Sequence, residues 1–254
     1  AVAAVPEALP AVVTGGLAIG VRRMARRNAI VRRLPAVETL GSTTVICSDK
    51  TGTMTKGEMT VRRVLVSRDL YEVTGTGYEP RGQVLKDGMP ALNDDLALMA
   101  RVGVLCNDAS AVFSSATKIT GDPTEVALLV VAAKAGERVE KLRAAHPRLF
   151  EVPFTSERKR MTTVHDTPDG QLLYCMKGAL ESVLPTCESA YHQGASLPMN
   201  KETMHKIHDV GEQMAKDGLR VLAFAYKSEP KKRQVPDESH SESKLVFLGL
   251  MGIM

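Results

Sequence analysis

The sequence predicts an α/β protein, and three observations carry that reading. The apolar run VIC (45–47) stops close to an acidic residue, Asp49, and enters a Gly/Thr turn, which places a carboxylate on the carboxyl edge of a short strand, where open α/β sheets keep their chemistry. From Glu58 onward, β-rich alternating runs are interleaved with helices whose ends are marked by capping residues. With 254 residues and 44% hydrophobic content, the chain can bury a sizeable core, and its length fits one or two domains.

Residues 1–21, AVAAVPEALPAVVTGGLAIGV, carry one charge and are long enough to cross most of a bilayer as a helix. RRMARRNAIVRR follows at once. Basic residues after an apolar stretch are the order of a membrane helix leaving on the cytoplasmic side, whereas a secretory leader has them before it. The alternative is a buried soluble helix, because Pro6 and Pro10 weaken a continuous one. Those prolines free backbone carbonyls, and Glu7 between them is a carboxylate where ionisation is expensive. Glu7 lies roughly 22 Å of helix from the first arginine, too deep to snorkel. Freed carbonyls with a carboxylate make an oxygen cage for a hard cation.

Residues 34–44 read as a connector with a helical turn, and VIC as the strand feeding Asp49. MTVRRVLVSRDLYEVTGTGYEPRG alternates as strands and ends in a Gly/Pro loop, and residues 94–105 read as a helix. GDPTEVALLVVAAKAG is a helix with Asp122 as N-cap, Pro123 at the first position and Gly136 as terminator. FEVPF is strand-like, and Asp169-Gly170 is a hairpin turn between two β-rich runs. Asn200 to Lys216 is a helix with Met204, Ile207, Gly211 and Met214 on one stripe and Gly218 as its stop. RVLAFAY and KLVFLGLMGIM are two more strands, the second expected to return to the first sheet. The loop between them, KSEPKKRQVPDESHSESK, reads as polar surface with solvated charges.

Asp49 followed by Lys-Thr-Gly-Thr has the chemistry of a phosphoryl acceptor: a carboxylate attacks phosphorus once the repulsion between the two anions is neutralised. Magnesium and Lys50 are the groups expected to neutralise it, and Gly52 lets loop amides close on phosphate oxygens. Thr51 stands where a hydrolytic phosphatase often has a second Asp, and it cannot act as general acid and base, so an aspartyl phosphate is expected to persist. The plain alternative is an Asp capping an ordinary turn.

The ordered motifs VAAVPEALP, CSDKTGTMT, VTGTGYEPRG, LCNDA, GDPTE, FTSERKRMT, MKGA and GLRVLAFAY resemble those of the P-type cation-transporting ATPases, in the branch of calcium and sodium/potassium pumps. The resemblance covers essentially the whole chain. It implies a partial haloacid-dehalogenase-like phosphorylation domain carrying Asp49, with an inserted α/β nucleotide-binding domain built on an antiparallel sheet, plus part of a transmembrane helix. The implied boundaries are 1–21 membrane segment, 22–56 stalk and start of the phosphorylation domain, 57–242 nucleotide-binding domain, and 243–254 return strand.

The resemblance also implies roles. Asp49 is phosphorylated, with Lys50, Thr51 and Thr53 beside it and Asp49 and Thr51 toward Mg2+. Glu125 faces the adenine amino group of ATP, a role that stands beside its reading as a capping-box Glu. Phe154 stacks on adenine, Lys159 and Lys177 line the pocket, and Arg220 reaches the phosphates. Ser156 stands where calcium pumps of animals carry an arginine. Glu7 and the carbonyls of Val2, Ala3 and Val5 resemble half of a calcium-type site, so calcium is favoured over sodium, potassium or magnesium. The implied setting is a plasma or inner membrane, with lipid around the first segment and the rest of the pump as partner. The actuator T-G-E and the later G-D-G-x-N-D are not among these residues, so the chain alone is expected not to turn over.

Composition excludes other classes. Six arginines between 22 and 33 against Glu7 leave +5 in the first 33 residues, and the remainder sums to about −1 of the total +4. With 4% aromatics and no Trp, the chain lacks a nucleic-acid surface. Four scattered cysteines without C-x-x-C spacing indicate neither a disulfide framework nor a zinc site. The competing functions are a soluble haloacid-dehalogenase-type phosphatase and a non-catalytic nucleotide-binding module.

Overall fold

The computed structural model describes residues 8–49, 57–113, 118–231 and 237–254. The chain divides into two compact units, Ala1–Lys56 and Gly57–Met254.

In the first unit, α1 (Leu9–Ala25) has Pro10 in its first turn, where a missing N–H costs nothing. It is 17 residues long, roughly 25 Å, and runs through Arg22 and Arg23. Among the described residues no helix is long and apolar enough to cross a membrane. Among the described residues the helix runs past the apolar stretch 1–21, and its basic last turn favours the helix C-terminus electrostatically. Helix α2 (Pro35–Gly41) follows, and a Cβ on Gly20 of α1 would sit 3.1 Å from the Val37 side chain. Residues 43–49, expected to hold a strand, have no regular structure, and Ile46 is 89% exposed. Among the described residues no strand lies beside VIC, and a lone strand leaves its backbone groups without partners.

The second unit is a mixed α/β fold on a large antiparallel sheet. Its elements in order are β1 (Val61–Val66), β2 (Asp69–Val73), β3 (Val84–Lys86), β4 (Met89–Pro90), α3 (Asp94–Leu105), β5 (Ser110–Val112), β6 (Lys118–Thr120), α4 (Pro123–Lys134) and α5 (Val139–Ala145). Then come β7 (Arg148–Val152), β8 (Arg160–Asp166), β9 (Gln171–Gly178), α6 (Leu180–Val183), β10 (Cys187–His192), β11 (Ala195–Pro198), α7 (Lys201–Lys216), β12 (Arg220–Pro230), α8 (Glu238–Ser241) and β13 (Leu245–Ile253). The main sheet runs β4-β3-β2-β1-β13-β12-β9-β8-β7, with β10 pairing parallel to β13 and antiparallel to β11.

The last strand corrects the sequence reading. β13 does not leave this unit; it lies between β1 and β12, antiparallel to both. A nine-residue run buried on both faces reads as continuous apolar sequence, which does not say which sheet it belongs to. Gly249 shows how closely it is seated: a Cβ there would fall 1.9 Å from the Leu65 carbonyl oxygen of β1.

Strand alternation divides the core between the two faces. Leu173, Cys175, Phe224, Leu248 and Met251 pack with α3, α4 and α5. Leu172, Tyr174, Met176, Ala223, Ala225 and Leu250 pack with α6 and α7. The helices on these faces start where their caps predict: the Asn93, Asp122 and Asn200 side chains accept from Leu96, Thr124 and Thr203 N–H. On α7 the buried residues are Ile207, Gly211 and Met214, and Gly218 follows with φ +80°. The hairpin turn between β8 and β9 has Gly170 at φ +77°.

His165 of β8 is buried, with Nδ1 3.0 Å from the His146 carbonyl and Nε2 2.9 Å from the Thr163 hydroxyl. Burial lowers its pKa to about 4, with the Arg148 charge acting in the same direction. The folded protein therefore holds the ring neutral while the unfolded chain takes up a proton near pH 6.5. Stability should be full above about pH 6.5 and fall as pH drops toward about 4. Urea unfolding between pH 7 and pH 4 should show that loss, and His165→Gln should flatten it; an unchanged slope in the variant would contradict the assignment.

Candidate functional site

The site forms where the N-terminus of α4 meets the turn after α3 and the end of β9. Asp122 caps α4 by accepting from Thr124 N–H at 2.8 Å, with Pro123 at the first position. Gly121 has φ +127°, and a Cβ there would lie 2.5 Å from Ala109 Cβ. Only glycine lets GDPTE press against the turn of LCNDA.

That turn aims two amides at the helix. Glu125 Oε2 accepts from Asp108 N–H at 3.1 Å and Ala109 N–H at 3.0 Å. Asn107 holds the turn, donating to the Glu125 carbonyl at 2.9 Å and accepting from Ala109 N–H at 2.9 Å. Arg143 donates to the carbonyls of Ala109 and Asn107, and Arg148 donates to Asn107 O and to Asp108 Oδ1. Cys106, whose thiol is pushed up by burial, donates to the Met161 carbonyl at 3.3 Å.

The other oxygen of Glu125 meets Lys177: Nζ lies 2.5 Å from Oε1, and Lys177 is only 8% exposed. Both carboxylate oxygens are thus taken from outside α4, rather than by the Asp122 amide of a capping box. Register explains why Lys177 faces this side: it pairs across the sheet with Met161 and Phe224, and both pack against the α3–α4 layer. Arg220 joins the same helix end by donating to Thr124 Oγ1 at 3.2 Å.

The loop 153–159 lies between β7 and β8 and carries the remaining candidates. Phe154 is 57% exposed, and Ser156 is exposed as well. Lys159 adopts φ +50° and its ammonium is 3.4 Å from Glu181. Its carbonyl accepts from Ala179 N–H at 2.9 Å, and a Cβ on Gly178 would fall 2.5 Å from that oxygen. The glycine of MKGA therefore lets the loop's end lie against the strand that carries Lys177.

The structure thus joins Glu125 to Lys177 directly and Arg220 to the residue beside Glu125. Phe154, Ser156 and Lys159 occupy the loop abutting the end of β9. Together they are an acidic acceptor, a buried ammonium, a guanidinium and an exposed aromatic face. Asp49 is exposed in the first unit. Lys50, Thr51 and Thr53 of its loop, and Glu7, Val2, Ala3 and Val5 of the cation motif, lie outside the described residues. Among the described residues no three His, Cys, Asp or Glu side chains converge as a metal site.

Sequence reasoning missed two contributors. The amides of Asp108 and Ala109 belong to a motif that was visible without a role. The loop 227–244 is not simply solvated: Glu242 is buried and receives Arg158 Nη1 at 2.8 Å, Arg160 Nε at 2.7 Å and the Thr162 hydroxyl at 2.9 Å. Burial raises the Glu242 carboxyl, and those donors outweigh it, holding it below the usual carboxylate range. A cavity of about 770 Å3 lies elsewhere, between α7 and the β10–β11 hairpin, with Ile207, Leu197 and Phe247 on its walls. Its Ser67 is already bonded to His192 and Gln193 through its carbonyl and hydroxyl.

Residues 95–254 match the family model for the P-type ATPase cytoplasmic domain N. The chain belongs to the P-type ATPase family. It is 46% identical over its full length to Cation-transporting ATPase pma1 of a Synechocystis species, covering 29% of that protein. It is 41% identical to Calcium-transporting ATPase 1 of Bacillus cereus, again over its full length and 26% of that protein. It is 43% identical to Calcium-transporting ATPase type 2C member 1 of Bos taurus, covering 26% of it. The chain therefore spans less than a third of these P-type ATPase relatives.

Truncating Glu125 should expose the cost of this arrangement. Glu125→Ala leaves a buried ammonium unpaired and should lower stability by about 3–5 kcal/mol. Glu125→Gln keeps an acceptor and should cost about 1–3 kcal/mol. Urea unfolding gives the order, and equal losses would contradict the pairing.

Proposed function

We propose that this chain supplies the ATP-binding site and the phosphoryl-accepting loop of an ATP-driven cation pump. The observation that carries the reading is the convergence of Glu125, Lys177 and Arg220 at one helix end. Glu125 is an acceptor suited to the exocyclic amine of adenine. Lys177 pairs with that carboxylate and orients it, and the exposed Phe154 ring offers a face for stacking. Arg220 and Lys159 bring positive charge for the phosphates, and Ser156, in the same loop as Lys159, contributes a hydroxyl at the position where calcium pumps of animals carry an arginine. The site positions the nucleotide and performs no bond-breaking itself.

Asp49 is the nucleophile of this proposal. Its carboxylate attacks the γ-phosphorus, the bond to the β-phosphate oxygen breaks, and ADP leaves with that electron pair. Lys50 screens the incoming charge, Thr53 orients a phosphate oxygen, and Thr51, unable to deliver a proton, leaves the acyl phosphate intact. Asp49 and Thr51 would hold Mg2+, which would supply further charge neutralisation.

Glu7, with the carbonyls of Val2, Ala3 and Val5, contributes part of the cation site in a plasma or inner membrane, with lipid around residues 1–21. The nucleotide-binding unit lies in the cytoplasm and extends through β13, so it comprises 57–254. The transported ion of this proposal is calcium, in line with the names of the Bacillus cereus and Bos taurus relatives.

In the full-length pump, radiolabelled ATP should give an acid-stable phosphoenzyme that depends on calcium and is absent in Asp49→Asn. Glu7→Gln should lose ion activation and keep ATP binding. Activation by sodium in place of calcium would overturn the ion, and strong labelling of Asp49→Asn would overturn the mechanism.

A further inference from the structure

The carboxylate of Glu242 lies behind the sheet from the Glu125–Lys177 pair. Arg160 and Thr162, which donate to it, alternate along β8 with Met161, and Met161 packs on the Lys177 side. Its side chain is 4% exposed, and the segment that carries it is fixed on both sides: Lys227 donates to His240 O at 2.5 Å and to Ser243 O at 3.1 Å. The cation of Lys227 itself rests 4.6 Å over the Tyr174 ring. A corner this firmly held presents one acceptor group to β8 and the loop before it.

Arg158 connects that acceptor to the loop of Phe154. Its fork donates to Glu242 Oε1 through Nη1 and to the Pro153 carbonyl through Nη2. On the other side of Phe154, the Thr155 carbonyl accepts from Lys159 N–H at 2.8 Å, and Thr155 Oγ1 accepts from Arg158 N–H at 3.2 Å. The backbone on either side of an exposed ring is therefore bonded, and the planar guanidinium sets where it starts. A buried ion pair contributes little net stability compared with apolar packing, so the consequence of this one is geometric.

We propose that Glu242 is a positioning residue for nucleotide binding: through Arg158 it fixes loop 153–159 and presents the Phe154 ring to the base. This rests on the ATP site proposed above. A ring held in its binding orientation loses less freedom when the base stacks on it.

A double-mutant cycle on the 254-residue chain, read by calorimetric titration with ATP, tests it. Phe154→Ala and Glu242→Gln should each weaken ATP binding by about 10-fold. The double variant should bind no more weakly than Phe154→Ala alone, a coupling that a merely structural role of Glu242 would not produce. Arg158→Lys keeps the charge and loses the fork, and it should show the same coupling to Phe154→Ala; it carries the test if Glu242→Gln fails to fold. Additive losses, or ATP affinity unchanged in Glu242→Gln and Arg158→Lys while Phe154→Ala weakens it, would overturn the proposal and leave the ATP site standing. ATP affinity unchanged in Phe154→Ala would overturn both.

Discussion

One carboxylate organises the second unit's functional end. Glu125 comes from α4, accepts two amides from the turn after α3 and meets an ammonium from β9. Three elements far apart in sequence are thereby tied at one point, and the tie sits in surroundings dry enough for charge-assisted hydrogen bonds to be strong. The surrounding glycines make it possible. Gly121 lets α4 approach the turn, and Gly178 lets the Phe154 loop approach β9. Arg143 and Arg148 then occupy the turn's carbonyls, so its amides stay directed at Glu125.

The sheet supplies a rigid partition. One face carries Lys177 toward α4, and the other carries Arg160 and Thr162 toward Glu242. Strand alternation alone accounts for this division, since Met161 and Thr162 must point to opposite sides. The chain has used both faces of one strand end, one side for the acceptor and its ammonium, the other for the anchor of the loop. β13 lies at the centre of this partition, paired antiparallel with β1 and β12 and contributing residues to the packing on both faces.

Much of this was legible in the sequence because the signals were local. The cap at Asp122, the stop at Gly218 and the turn at Gly170 all rest on backbone chemistry within a few residues. The position of β13 was not legible, since an apolar run carries no mark of which strands will flank it. Nor was the strand at VIC correct, because strand formation needs a neighbour that local sequence does not supply. Glu125 and Lys177 came from the family's motifs, while their direct ion pair is a tertiary fact 52 residues apart in the chain. Glu242 escaped because a Glu among Ser, His and Lys looks solvated until Arg158 and Arg160, more than 80 residues away, are placed beside it.

The account's central claim is that Glu125, held by the 108–109 amides, receives the adenine amine. The most direct measurement is the backbone amide NMR shift of Asp108 and Ala109 during ATP titration of the 254-residue chain. A ligand donating to the same carboxylate changes the hydrogen bonds those amides make, so both signals should move and saturate together with the Phe154 ring signals. ATP saturating the protein while both amides stay still, with shifts instead around Ile207 and Phe247, would contradict the account.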